Sequence, residues 1–252
     1  LSVFIIGAYV LRSKKIRLYL PEWKPVAPDW VKIREILSVG APIGLTFFLE
    51  MGVFSVIALL VASLGDTAIS AHQIAFNVWD LYYIPMLAIG TAMSTRIGHA
   101  IGAGWREGIY RAMIVGGAIS AVVAIGTMLI LLSFPGAIIG IYTDAPDIQL
   151  LATRLLTLSA FFILIDGAQI VGSFILRAYK ETQFPFIMMV VSYWLVALPL
   201  GWWLGIEVPD NPNDGAAGFW YATITGISVC TVLIGARIWV ILRRELPSTA
   251  AE

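Results

Sequence analysis

The chain has 252 residues, with 16 basic residues balanced by 16 acidic ones, 59% hydrophobic residues and 13% charged. Soluble globular chains carry about 25% charged residues, and the mean hydropathy here is +0.87. This excludes a disordered tail, a nucleic-acid binder and an ordinary cytosolic enzyme, and the single cysteine, Cys230, excludes a disulfide framework or a thiolate metal cluster within the chain.

The first apolar run, Leu1 to Leu11, is too short to cross a bilayer and has neither a basic leader nor a small-residue cleavage site. It reads as the tail of a helix, so the chain is expected to be a fragment of a larger membrane protein. Residues 12–28, basic and containing Pro21, Pro25 and Pro28, read as a linker. The segment Asp29 to Leu37 has acidic residues early and apolar residues at helical spacing, which predicts an interfacial helix.

Six stretches are long and apolar enough to span: roughly 41–64, 68–94, 113–134, 150–176, 186–206 and 217–241. The fold class predicted is therefore an all-α membrane protein, a six-transmembrane-helix bundle. All but one of the 16 basic residues fall before the first span, between spans two and three, between four and five, or after six; Arg154 is the exception. The opposite loops carry Asp66, Asp144, Asp147, Glu207, Asp210 and Asp214. By the positive-inside rule both ends face the cytoplasm.

Three carboxylates fall inside spans: Glu50, Asp80 and Asp166. A charged acid near the bilayer centre costs about 2.5–3.5 kcal/mol on insertion scales, so such residues face a bundle interior or water and mark ion or proton pathways by default. Glu50 lies roughly 10–13 Å inside the cytoplasmic end at 1.5 Å per residue. The plainer alternative is that each acid is neutral and hydrogen-bonded, tying helices together. Burial disfavours a carboxyl's charged form, and a second carboxylate nearby adds to this. A cavity with two or three acids can therefore exchange a proton, a sodium ion or a cationic substrate, and hard cations take the oxygen ligands that acids and amide carbonyls supply.

Gln73, Asn77 and Asp80 are spaced to share one helix face, and Asp166, Gln169 and Ser173 form a comparable stripe on the fourth span. Interhelical hydrogen bonding is an equal account of the amides. Pro85 and Pro199 each remove a backbone donor within a span. Trp202, Trp203, Trp220 and Trp239 read as interface anchors. Trp79, Tyr82, Tyr83, Tyr193 and Trp194 lie deeper and either pack or line a cavity for organic cations. The small residues of Gly116-Gly-Ala-Ile-Ser-Ala and the Gly201–Gly205 spacing permit close helix contact. His72 and His99 have no partner at metal spacing, and no zincin, nucleophile-elbow or phosphate-loop motif occurs, which leaves no candidate chemistry for an enzyme.

The stretch 33–77 (IREILSVGAPIGLTFFLEMGVFSVIALLVASLGDTAISAHQIAFN) resembles the seventh helix and the start of the eighth in the multidrug and toxic compound extrusion (MATE) family, NorM-type branch. Residues 96–104 (RIGHAIGAG) resemble its cytoplasmic loop after helix eight, and 166–205 (DGAQIVGSFILRAYKETQFPFIMMVVSYWLVALPLGWWLG) its tenth and eleventh helices. The resemblance implies the C-terminal six-helix lobe of a twelve-helix transporter. Residues 1–28 would be the end of helix six and the inter-lobe linker, 29–245 the lobe, and 246–252 a cytoplasmic tail.

It further implies exchange of sodium or protons for organic cations or drugs across the bacterial inner membrane. The partners implied are the N-terminal six-helix lobe, organic cation substrates and the lipid bilayer, with no nucleic acid and no cofactor beyond Na+. By position, Glu50 and Asp166 match the family's cation-coupling acids, and Gln73 its His-Gln pattern. Asn77, Asp80, Phe162, Gln169 and Tyr193 are the further candidates for lining the cavity. Two departures stand out. Phe162 replaces the tyrosine that some NorM-type members carry one turn before the helix-ten aspartate, and Asp80 stands where a small polar residue is usual. Alternative readings are a lipid-linked oligosaccharide flippase of the same superfamily, or a channel or structural membrane subunit. A flippase for anionic headgroups should show cavity-facing Arg or Lys.

Overall fold

The structure, a computed structural model, describes residues 28–245, and no strand occurs among them. Of the expected leading segment only Pro28 is described, and the tail 246–252 lies outside the described residues. The chain divides into two compact units, Leu1–Leu37 and Ser38–Glu252. Within the described part of the first, Asp29 starts a helix: its Oδ1 accepts hydrogen bonds from the N–H groups of Val31 (3.1 Å) and Lys32 (3.3 Å), satisfying donors that a helix N-terminus leaves free.

Six long helices and one short one follow. They are α1 Trp30–Ala62, α2 Asp66–Gly102, α3 Arg106–Ser133, the short α4 Pro135–Ile139, α5 Pro146–Ala178, α6 Gln183–Glu207 and α7 Pro212–Glu245. All six expected spans are helices, each longer than its apolar stretch. The segment Asp29 to Leu37, expected as an interfacial helix leading into the first span, is helical from Trp30 and continuous with that span in α1. The block 96–104, expected as a loop, is helical through Gly102, because Met93, Ile97 and Ala100 keep one face of α2 buried. His99 is therefore in the last turn of α2.

Five of the six long helices are apolar and long enough to cross a membrane by length and composition; α2 is not among them. Its N-terminal half carries His72, Gln73, Asn77 and Asp80, which lower its apolarity. Hydroxyls within the helices bond back to their own backbone, as Thr91 Oγ1 does to Leu87 O (2.7 Å) and Thr153 Oγ1 to Gln149 O (2.8 Å). Such bonds spare these hydroxyls from standing bare in an apolar setting.

In the second unit α5 is the central strut, packed against α2, α3 and α7. Close approach rests on small residues. A Cβ on Gly116 would lie 2.6 Å from Met93 Sδ, one on Gly201 2.9 Å from Phe219, and one on Gly226 2.6 Å from the Ser192 carbonyl. The first two lie in segments singled out in the sequence; the third, on α7, does not. In α6, Val190–Ala197 and Trp203–Glu207 are π-helical, flanking the α-helical segment that holds Pro199. By contrast, α1 is absent from the helix pairs whose backbones approach closely. Long side chains hold it: Trp194 Nε1 donates to Leu49 O at 3.2 Å, and Phe54 enters an aromatic cluster.

Candidate functional site

That cluster builds the site. Phe54 of α1 packs on Phe76 (5.5 Å between ring centroids), Trp79 (5.0 Å), Phe162 (6.4 Å, edge-on) and Tyr193 (5.8 Å). Lipid tails are as apolar as the bundle interior, so dispersion and ring geometry, about 0.5–1.5 kcal/mol per aromatic pair, matter more here than water exclusion. Trp79, Tyr193 and Phe162 are fully buried. Of the deep aromatics of the sequence, Trp79, Tyr83 and Tyr193 therefore join one body across α1, α2, α5 and α6.

Asp166 lies against this body with no exposed surface. Trp79 Nε1 donates to its Oδ2 at 3.1 Å, while its Oδ1 has no hydrogen-bond partner. Leaving a buried acceptor unmet costs about 1–3 kcal/mol, so this oxygen is a costly feature for the fold to keep. Glu50 is also buried, at 5% exposure, and Tyr83 Oη donates to its Oε2 over a long 3.5 Å. Glu50 faces a cavity of about 20 Å³ bordered by Thr46, Tyr83, Gln169, Ser173 and Arg177. One water fits such a volume. Gln169 Nε2 donates to Ser173 Oγ at 3.1 Å, as the α5 stripe predicts.

The remaining sequence candidates divide. Phe162, Gln169 and Tyr193 are buried with the two acids. Gln73, Asn77 and Asp80 share a face, as expected, but that face is exposed on the outside of α2. Asp80 does not point into the bundle with Glu50 and Asp166. Gln73 borders a separate groove of about 200 Å³ between α1 and α2, with Met51, Ser55 and His72. Asn77 Nδ2 donates to its own helix, at Gln73 O (2.9 Å).

Two placements, of Trp220 and Arg177, correct the sequence reading. Trp220, expected as an interface anchor, is buried against His72 (5.9 Å) and Phe162 (6.1 Å, perpendicular); Trp202, Trp203 and Trp239 are exposed. His72, against which Trp220 packs, is buried with its Nδ1 unpartnered. Arg177, counted as a loop charge, lines the Glu50 cavity, its guanidinium carbon 5.0 Å from the Phe47 ring and 4.5 Å from the Phe174 ring. Its place in the last turn of α5, one turn beyond Ser173 on the inward stripe, is the signal that could have found it. Among the described residues no group of three or more His, Cys, Asp or Glu side chains is placed to hold a metal ion.

Relatives and solved structures match this architecture. The chain is 37% identical over 248 residues to a protein described as a probable multidrug resistance protein NorM from Idiomarina loihiensis, covering 97% of this chain and 52% of that protein. It is 34% identical over 237 residues to the multidrug resistance protein MdtK of Proteus mirabilis, covering 94% and 52%. The chain thus spans about half the length of the curated relatives it matches. The crystal structure of the eukaryotic MATE transporter AtDTX14 superposes with a TM-score of 0.81 at 18% identity, over 94% of this chain and 52% of that one. An outward-facing multidrug resistance MATE family transporter superposes with a TM-score of 0.76 at 16% identity, over 88% and 50%. The family model described as MatE matches residues 42–203, more than half of the sequence, and the chain belongs to the MatE family.

Proposed function

We propose that this chain works as the C-terminal lobe of a multidrug exporter that exchanges sodium or protons for organic cations across the bacterial inner membrane. The observation that carries this reading is the unpartnered Oδ1 of fully buried Asp166. It is supported by Glu50 on a polar cavity nearby and by the multidrug resistance names of the NorM and MdtK relatives. The coupling cation is cargo: Glu50 and Asp166 supply oxygens to it, Gln169 and Ser173 orient the cavity wall, and Trp79 holds Asp166 in place. Asp166 is sealed here by aromatic rings, so the cation enters when α1, held by side chains rather than by close backbone packing, moves away from α5.

The basic-residue pattern supports placing both ends of 29–245 at the cytoplasmic side. The exposed stripe Gln73, Asn77 and Asp80 supports an aqueous or protein-covered face. An acid against lipid is costly, so we assign this face to the cavity shared with the N-terminal lobe, where Asp80 attracts a cationic substrate. Arg177 is the one cavity-facing base among the described residues bordering Glu50. Set against that acid on the same cavity, it gives the pocket no positive excess of the kind an anionic-headgroup flippase needs.

The test is efflux of a fluorescent organic cation from proteoliposomes holding the protein with both lobes, driven by an imposed sodium or proton gradient. Efflux under one of these gradients is expected. Equal efflux with both gradients collapsed, with non-saturating conductance, contradicts the reading and favours a channel.

A further inference from the structure

Arg177 is the charged group of the Glu50 cavity that the exchange reading leaves without a task. A guanidinium keeps its charge under all physiological conditions. Two rings clamp this one, Phe47 from α1 and Phe174 from α5, so it is held at the cavity rather than snorkelling away from it. The Phe174 ring in turn crowds Gly90 of α2, where a Cβ would lie 2.4 Å from it. Arg177 and Glu50 border the same small space, and the charge of each acts on the other. The cavity admits about one water. A second cation at Glu50 must therefore sit beside a fixed positive charge in a poorly screened place, where like charges repel strongly.

We propose that Arg177 is a tethered competitor of the transported cation at Glu50, neutralising the carboxylate once the cation leaves and lowering the affinity with which the next one binds. This rests on the reading above that Glu50 binds the coupling cation. It explains how a buried acid can release its cargo: the departing charge is replaced by one that belongs to the protein. The rings of Phe47 and Phe174 give the guanidinium a resting place when the cation is bound, through their negative faces.

The test uses the protein with both lobes in proteoliposomes. Dye efflux is measured against sodium concentration at fixed pH, and against pH without sodium. The titratable and charged groups around Glu50 are Tyr83 on α2, Asp166 and Arg177 on α5, Tyr193 on α6 and Cys230 on α7; all but Arg177 are kept.

In Arg177→Met and Arg177→Gln the half-saturating cation concentration is expected to fall by about tenfold, with a lower maximal rate because release slows. Arg177→Lys keeps the charge and is expected to stay within about threefold of wild type. If both neutral variants keep the wild-type half-saturation, or if Arg177→Lys shifts as far as they do, Arg177 is a packing residue and the proposal is overturned. Glu50→Gln is measured alongside. If it loses cation dependence while the Arg177 variants match wild type, only the competitor role fails. If it retains full cation dependence, the assignment of Glu50 itself fails.

Discussion

The indole of Trp79 binds one oxygen of Asp166 at 3.1 Å across the α2–α5 contact and leaves the other oxygen of the same carboxylate without a partner. A single donor thus fixes the orientation of the acid without satisfying it. This divides the consequences of substitution. Asp166→Asn keeps an acceptor for the Trp79 N–H, so its thermal unfolding in detergent is expected to stay close to wild type while coupled efflux is lost. Asp166→Ala strands the indole N–H and is expected to cost about 1–3 kcal/mol. Equal stability of the two variants would show that the Trp79 bond does not matter.

Asp80 separates from the two buried acids by its exposure on α2. Asp80→Asn is therefore expected to reduce efflux of monovalent organic cations severalfold without altering the sodium or proton dependence. Efflux assays on a dye series of different charge check this. A change in cation dependence as large as that of Asp166→Asn would place Asp80 in the coupling site.

The α6–α7 contact depends on absent side chains. A methyl at Gly226 would press on the Ser192 carbonyl at 2.6 Å and on Ala197 Cβ at 2.7 Å, in the π-helical part of α6, whereas one at Gly117 meets nothing within 4 Å. Gly226→Ala is expected to destabilise the protein by about 1–3 kcal/mol through overpacking. Gly117→Ala is expected to be neutral or slightly stabilising, because alanine suits a helix interior better. Melting temperatures of the two in one detergent decide it.

Arg237 of α7 grips Glu181, in the turn between α5 and α6, through Nε at 3.0 and 2.9 Å and also through Nη2. The guanidinium also faces the Phe184 ring at 5.5 Å. Lysine cannot reproduce that fork. Arg237→Lys is expected to weaken the pair only modestly, given the exposure of both side chains, and to increase proteolysis at the 179–182 turn. Unchanged cleavage of that turn would mean the pair does not hold it.

The helices were legible because a bilayer demands long apolar runs, and the six stretches are six helices. Their ends were not, since α2 continues through Ile97 and Ala100 on a buried face that a basic, glycine-containing block conceals. Glu50 and Asp166 stood out because carboxylates are rare in such runs, and both are buried. Asp80 stood out for the same reason yet lies outside, because periodicity shows which residues share a face but not what that face meets. Trp220 and Arg177 were misplaced for one shared cause. Distance along the chain from a span end does not give depth in the bundle, because direction around the helix decides whether a side chain at that level turns inward.

The most direct test of cation binding at Glu50 and Asp166 reverses the drive. An outward gradient of organic cation is imposed on sealed proteoliposomes holding the protein with both lobes, and movement of sodium or protons into the vesicle is followed. Wild type is expected to carry the coupling cation inward against its own gradient, and Glu50→Gln and Asp166→Asn to carry none. Undiminished uphill cation uptake in both variants would contradict the account.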